Sequence, residues 1–508
     1  MTATEVAAGA GTDFPLDTLR LVREVFGALN AQGVRYCQWK STTSLPVALA
    51  GRTDLDLLVD RADAGRFTVA IRDAGFKPFI SHPSRRFVGV EDWLGHDAES
   101  GRLVHLHVYY RLILGEDHVK NHVLPIERQV LDDAIPRLGV RVPAPATELT
   151  ILVIRALLKY RRTDAAKDAL RLGRRGGIPP ALREEVADLA GQVSPDELRA
   201  AAARLVPAMP PEIFPEFVET LRANHRDART LLRLRAATRA ALRPFERLPA
   251  RTALAISLGA RLQRAPLLRS VLRPRSKADL RRKSSAVGGL TVAIIGPDGS
   301  GKSTVIDEIV RWLGWRLSLR VSYLGTARPS RPTAAVQFTS RLARRVSGRL
   351  PTLAGIANLV TAVRYLAEAR DRAGRVREGR RLAANGALVL FDRYPLEWVR
   401  LANRPVDGPR VAELGDGAQR GLLDGLRRRE EAIYARIPPP DLVILLTVDP
   451  ATALARKPSV KPETISAKAQ AVVEAASRAS ADGVVVVDAT RPLEDVVGAV
   501  EAEIWKRL

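Results

Sequence analysis

The stretch from Thr291 to Val310, TVAIIGPDGSGKSTVIDEIV, holds a complete G-x-x-x-x-G-K-[ST] pattern between an apolar run and a helical one. Gly296, Gly299 and Gly301 leave room for successive backbone N–H groups to turn inward on a phosphate, where a helix N-terminus adds partial positive charge. Lys302 then reaches the β- and γ-phosphate oxygens, and the Ser303 hydroxyl ligates Mg2+. Asp298, Ser300 and Thr304 complete the expected nucleotide-binding segment. ATP or GTP with magnesium is the ligand this chemistry implies.

Two further stretches carry candidate chemistry. In NGALVLFDRYP, Asn385 to Pro395, an apolar strand ends in Asp392. Its carboxylate would lie beside the phosphate loop and hold magnesium through water, and Arg393 could contact an acceptor phosphate. Near the other end of the chain, YCQWKSTTSLPVALAGRTDLDLLVD contains D-x-D, and a strand's period of two puts Asp54 and Asp56 on one face, where they could share a divalent metal. In LVHLHVYY, His105 and His107 also face one way, suiting a metal, a phosphate or simply a polar surface. His118 and His122 sit four apart, but nothing near them completes a zinc ligand set.

These residues need elements to hold them. Val292 to Ile295 reads as a buried strand and Thr304 onward as a helix; PPDLVILLTVDPATALARKP and GVVVVDATRP supply further strands and a helix. Strands alternating with helices over 290–508 predict an α/β domain with a parallel, doubly wound sheet. Residues 15–144 predict a small α/β domain, with a helix on Leu19, Val22, Phe26 and Leu29 and strands at Val34–Trp39, Asp54–Val59 and Leu103–Tyr109. Residues 145–272 read as an all-helical, basic domain, 273–289 as a linker, and 1–14 as a disordered start.

Composition narrows the setting. The net charge is +24, and residues 221–290 alone hold 18 Lys and Arg against three acids. Nucleic acid, an anionic membrane surface, or an interdomain scaffold would each account for that segment. Phe245 is its one aromatic residue, so base stacking is disfavoured. The single cysteine, Cys37, excludes a disulfide within the chain and suits a reducing cytoplasm. With no apolar run of about 18 residues and no signal-peptide pattern, a cytoplasmic protein without a transmembrane segment is expected.

Taken together, GPDGSGKST, FDRY, PDLVILLTVDPATALARKP and the terminal VVVVDATRP resemble the thymidylate kinase family over roughly 290–508. The resemblance implies a nucleoside-monophosphate-kinase fold, ATP on the phosphate loop, a mobile lid around Arg456 to Lys468, and an adenine-facing loop near Asp488 to Pro492. It places Asp298 toward the acceptor. Where a variant of the family has a loop arginine this chain has Ser300, so Arg456 and Lys457 become the cations expected over the transferring phosphoryl. The family's thymine-holding segments are absent: the corresponding stretches read PLEWVRLANRPVDGP and YLGTARPSRP. dTMP is therefore expected to be a poor substrate, with a small nucleotide or another phosphorylated, anionic or hydroxyl-bearing acceptor in its place. Arg364, Arg377, Arg380 and Arg381, ahead of FDRY, read either as a solvated basic face or as an acceptor-phosphate site.

The helix, strand and D-x-D order of residues 15–144 resembles the nucleotidyltransferase superfamily, with Lys40-Ser41 near the usual Gly-Ser. His105 stands where those proteins have a third carboxylate, which disfavours two-metal nucleotidyl transfer and favours a binding role. The leading expectation is an ATP-dependent kinase fused to such a domain; the alternative is a nucleotide-operated switch acting on nucleic acid or a membrane through the basic segment.

Overall fold

The computed structural model describes residues 14–170, 177–224, 226–262, 282–401, 404–414, 420–459, 461–478 and 483–508. The start expected to be disordered lies almost wholly outside these residues, as does about half of the 273–289 stretch. The chain forms two compact units, Met1–Arg275 and Ser276–Leu508.

In the first unit, helix α1 (Arg20–Ala31) precedes strands β1 (Tyr36–Gln38), β2 (Leu55–Val59), β3 (Lys77–Ile80), β4 (Val90–Asp97) and β5 (Arg102–Tyr109). Within the unit the strands lie in the order β1-β2-β5-β4-β3, with β2 and β5 parallel and the other pairs antiparallel. Leu55, Leu57 and Leu106 pack with Val22, Phe26 and Leu29 of α1. Trp39, Leu58 and Tyr109 instead join a core with helix α2 (Pro145–Lys159) and with Phe214, Phe217 and Leu231 of later helices. The helical stretch and the α/β stretch thus share a core inside one compact unit. The physical reason is α2 itself, whose buried residues run almost without a break from Thr147 to Leu158 and leave no polar face for solvent.

The second unit holds β6 (Leu290–Ile295), α3 (Lys302–Leu313), β7 (Leu319–Tyr323), α4 (Ala354–Ala384), β8 (Leu388–Asp392), α5 (Arg420–Tyr434), β9 (Leu442–Thr447), α6 (Pro450–Arg456), α7 (Pro462–Arg478) and β10 (Val484–Asp488). Its sheet has the order β7-β8-β6-β9-β10 and every pairing is parallel. All six residues of β6 are buried, as expected of a central strand covered on both faces. Register sets Ile294 beside Asp392, so the phosphate loop and the FDRY turn leave the sheet at the same edge. That edge, outside the carboxyl ends of the strands, is where open α/β sheets bind ligands. Among the described residues no helix is long and apolar enough to cross a membrane.

Candidate functional site

The phosphate loop runs from β6 into α3. Gly299 and Gly301 have φ of +86° and +82°, a region that side-chain-bearing residues avoid. A Cβ at Gly299 would lie 2.3 Å from the Ala453 carbonyl oxygen, and one at Gly296 would lie 2.5 Å from Ser300 Oγ and 2.8 Å from the Leu446 carbonyl oxygen. Lys302 Nζ folds back on the loop, donating to the carbonyls of Gly296 at 2.8 Å and Pro297 at 2.7 Å. Burial, with Arg393 and Lys457 nearby, lowers its pKa to about 8. Ser300 Oγ is buried and, among the described residues, has no hydrogen-bond partner. Ser303 and Thr304 are exposed at the start of α3.

Asp298 is the hub of the charges around the loop. Lys468 of α7 approaches Oδ2 at 2.7 Å, while Lys457 and Arg393 each lie 3.8 Å from Oδ1. Burial opposes ionisation of Asp298, but Lys468, Lys302 and Arg393 outweigh it and hold the carboxyl below its ordinary value. Arg393 follows Asp392 with φ of +72°, a conformation unusual for any residue but glycine, and strain of this kind collects at functional sites. Its guanidinium spans from Asp298 to Asp407, 3.7 Å away. Asp407 also has φ of +62° and lies beside the buried Arg372, which donates to the carbonyls of Leu324 at 2.7 Å and Asp407 at 2.6 Å. Asp392 is half-buried; burial pushes its carboxyl above the ordinary value against the pull of Lys302 and Arg393.

Of the lid cations, the structure brings Lys457 to Asp298 but turns Arg456 away: its guanidinium donates to the Ala489 carbonyl at 2.8 Å, in the loop after β10. Lys468, the far end of the expected lid, occupies the position nearest Asp298. Asp407 and Arg372 escaped sequence reading. The one local signal was the Asp407-Gly408 turn inside PLEWVRLANRPVDGP.

The donors at this loop fit a magnesium ion. Ser303 and Asp392 offer hydroxyl and carboxylate oxygens, the hard ligands that Mg2+ requires, and the unpaired Ser300 hydroxyl leaves a buried polar group for a ligand to satisfy.

The first unit is arranged differently. Register aligns Asp56 and Asp92 on either side of His107. Lys40 Nζ lies 2.7 Å from Asp56 Oδ1, and His107 Nδ1 lies 3.1 Å from the same oxygen. Burial disfavours the charge on Asp56, yet Lys40 and His107 prevail and hold it at about 2. The buried His105 bridges two carboxylates, Asp54 Oδ1 at 3.1 Å and Asp92 Oδ1 at 2.9 Å. The pair Asp54 and Asp56, expected to share a metal, is therefore divided between a histidine and an ammonium group. Among the described residues no group of three or more His, Cys, Asp or Glu is set to hold a metal ion. The reason is electrostatic: an ammonium at 2.7 Å already supplies the positive charge a cation would bring. The Lys40-Ser41 loop is likewise closed. Ser41 N donates to Glu185 at 3.0 Å and Thr42 N to Glu148 at 3.0 Å, and burial pushes Glu148 up to about 7.

No protein-family model matches the chain. Over 179 residues, a third of its length, it is 30% identical to YghR, an uncharacterized ATP-binding protein of Escherichia coli K12, covering 68% of that protein. It is 33% identical over 179 residues to YghS of the same strain, also an uncharacterized ATP-binding protein, covering 73% of it. A thymidylate kinase of Lactobacillus helveticus is 27% identical over 231 residues, 43% of this chain and 97% of the kinase. Among solved structures, deoxyadenosine kinase from M. mycoides with bound dATP is 16% identical with a TM-score of 0.27, covering 42% of this chain and 98% of that one.

Proposed function

Because the chain belongs to the family of ATP-binding proteins that includes YghR and YghS, we propose that its second unit is an ATP-dependent phosphotransferase acting on a small phosphorylated acceptor. The observation that carries this reading is Arg393. A strained arginine beside the phosphate loop, held from Asp298 to Asp407 by pairs longer than 3.5 Å, is loosely tethered and ready for an anionic partner. In this reading the loop's N–H groups and Lys302 clamp the β- and γ-phosphates of ATP. Arg393 orients the acceptor phosphate, and Lys457 and Lys468 leave Asp298 to cover the transferring phosphoryl. Ser303 and Asp392 would hold Mg2+, which when bound neutralises charge on the phosphates. Catalysis here is positioning plus charge stabilisation, with no covalent intermediate on the protein.

The test is release of ADP by the full chain with Mg-ATP, screened against nucleoside monophosphates, sugar phosphates and polyprenyl phosphates. Turnover of at least one acceptor is expected. dTMP should stay below ~10⁴ M⁻¹s⁻¹ in kcat/KM, because the thymine-holding segments are missing. Hydrolysis of ATP with no acceptor dependence would overturn the reading.

For the first unit, the ammonium on Asp56 supports a domain that holds no metal at Asp54 and Asp56. Calorimetric titration of a Lys302→Ala/Asp392→Asn chain with Mn2+ should then give no heat of specific binding, and a tight site removed by Asp54→Asn would refute it.

A further inference from the structure

Helix α4 carries arginines on two faces. Arg372 is buried against Leu324, Asp407 and Tyr434, and Arg375 donates to the Tyr323 carbonyl at 2.7 Å. With a helical repeat of about 3.6 residues, Arg370, Arg377 and Arg381 fall almost half a turn away from Arg372. There they are exposed, and together with Arg380, Arg429 and Arg436 they line a groove of about 890 Å³ between α4 and the end of α5. Its floor is apolar, formed by Val376, Ile433 and Ile437. No acid lines it. Glu378 lies 3.5 Å from Arg320, and Glu430 accepts from the backbone N–H groups of Arg410 and Val411. Among the described residues, Arg380 is the one side chain of the six with a hydrogen-bond partner, the Pro439 carbonyl at 3.1 Å.

Six guanidinium groups around one groove repel one another, and nothing in the lining offsets that repulsion. A single carboxylate would neutralise one of them. A compact ligand with several phosphate groups neutralises most and can accept bidentate, charge-assisted hydrogen bonds from more than one guanidinium at a time. The volume suits a small molecule, and the apolar floor gives such a ligand's body a dry surface to lie on. A second copy of the chain docked face to face would bring the same cations against themselves. The groove shares no lining residue with the phosphate loop, Asp392 or Arg393.

We propose that this groove is a second anion site, which binds a small ligand carrying two or more phosphates. The site does not depend on the kinase reading, since none of its residues belongs to the nucleotide loop.

The probe is inorganic tripolyphosphate, titrated calorimetrically into the full chain with the phosphate loop filled by magnesium and a nonhydrolysable ATP analogue, and in parallel into Lys302→Ala. One binding event is expected to remain in both cases. It should weaken at least about tenfold in Arg377→Ala/Arg381→Ala, and by a smaller factor in Arg377→Lys/Arg381→Lys, which keeps the charges but loses the planar fork. An unchanged thermal midpoint establishes that the variants report on the groove rather than on folding. Loss of all tripolyphosphate binding once the loop is filled, or equal binding by the alanine double variant, overturns the proposal. Tighter binding of a DNA duplex that also depends on Arg377 and Arg381 overturns it in favour of a nucleic-acid surface. Failure of ATP turnover with the groove intact would count against the kinase reading alone.

Discussion

Two loops in this chain follow a strand or precede one in the manner of phosphate-binding loops, and they differ in what their polar groups already hold. At the loop in the second unit, the Ser300 hydroxyl is buried without a partner, Lys302 rests on carbonyls of its own loop, and two glycines adopt a left-handed backbone. At Lys40 to Thr42 the N–H groups are capped by Glu185 and Glu148, and the lysine is paired with Asp56. The first loop turns its lysine onto its own carbonyls and leaves one buried hydroxyl without a partner among the described residues. The second has capped two of its N–H groups with carboxylates and paired its lysine with a third. Loops of similar position can thus differ in their hydrogen-bond ledger: one leaves a buried hydroxyl without a partner among the described residues, the other caps its N–H groups and pairs its lysine.

The sharpest way to break that contrast is to remove each lysine in turn. Lys302→Ala should lower phosphoryl transfer about a hundredfold, roughly 3 kcal/mol of transition-state stabilisation, measured as kcat/KM for the best acceptor. Lys40→Ala should leave the same quantity within about twofold. Equal losses would mean that both loops serve one reaction.

Stability should respond in the opposite order. Lys40→Met leaves Asp56, whose side chain is only 12% exposed, with His107 but without the ammonium, and about 3 kcal/mol should be lost in urea unfolding. Lys40→Met/Asp56→Leu should recover most of it, because no charge is then left unpaired. The sign with pH follows from a folded-state pKa depressed from 3.8 to about 2: the contribution of Asp56 is fully present above 3.8 and disappears as pH falls through 2. A double variant as unstable as the single one would show that the pair is not what holds this face together.

A smaller effect concerns proton linkage at the active loop. Lys302 has a pKa near 8 in the free protein, and phosphate binding favours its charged form. Affinity for Mg-ATP should be flat below pH 8 and then fall by up to about tenfold per pH unit above it, with proton uptake on binding seen in buffers of different ionisation enthalpy. A flat profile to pH 9.5 would place the nucleotide elsewhere than on Lys302. The least change of all is expected at Cys37, which is fully buried and whose thiol burial pushes upward. It should stay unmodified by an aromatic disulfide reagent until the first unit unfolds.

What could be read from the chain alone follows how local each feature is. The phosphate loop, its strand and its helix lie within twenty consecutive residues, so type and spacing specified them together. Asp392 was legible because a strand end next to that loop is a topological consequence of a parallel sheet. Asp407 and Arg372 were not: they meet each other across 35 residues of chain whose turns have no fixed pattern, and Asp407 in turn meets Arg393. In the first unit D-x-D was visible, but its fate depended on Asp92, which only the antiparallel register of β4 against β5 brings to His105, and on Glu148 and Glu185, 106 and 144 residues away from the backbone groups they cap. The shared core of that unit was hidden for a related reason: the helical periodicity of α2 showed that it was a helix but not that it was buried on every side.

The bare α-carbon of Gly299 makes direct contact with α6 unavoidable, since the loop and the backbone of Ala453 meet there with no side chain between them. The loop is thereby packed directly on the backbone of α6, at whose end Arg456 and Lys457 are carried. Alanine at 299 would act as a wedge, prising that joint apart before any nucleotide arrives.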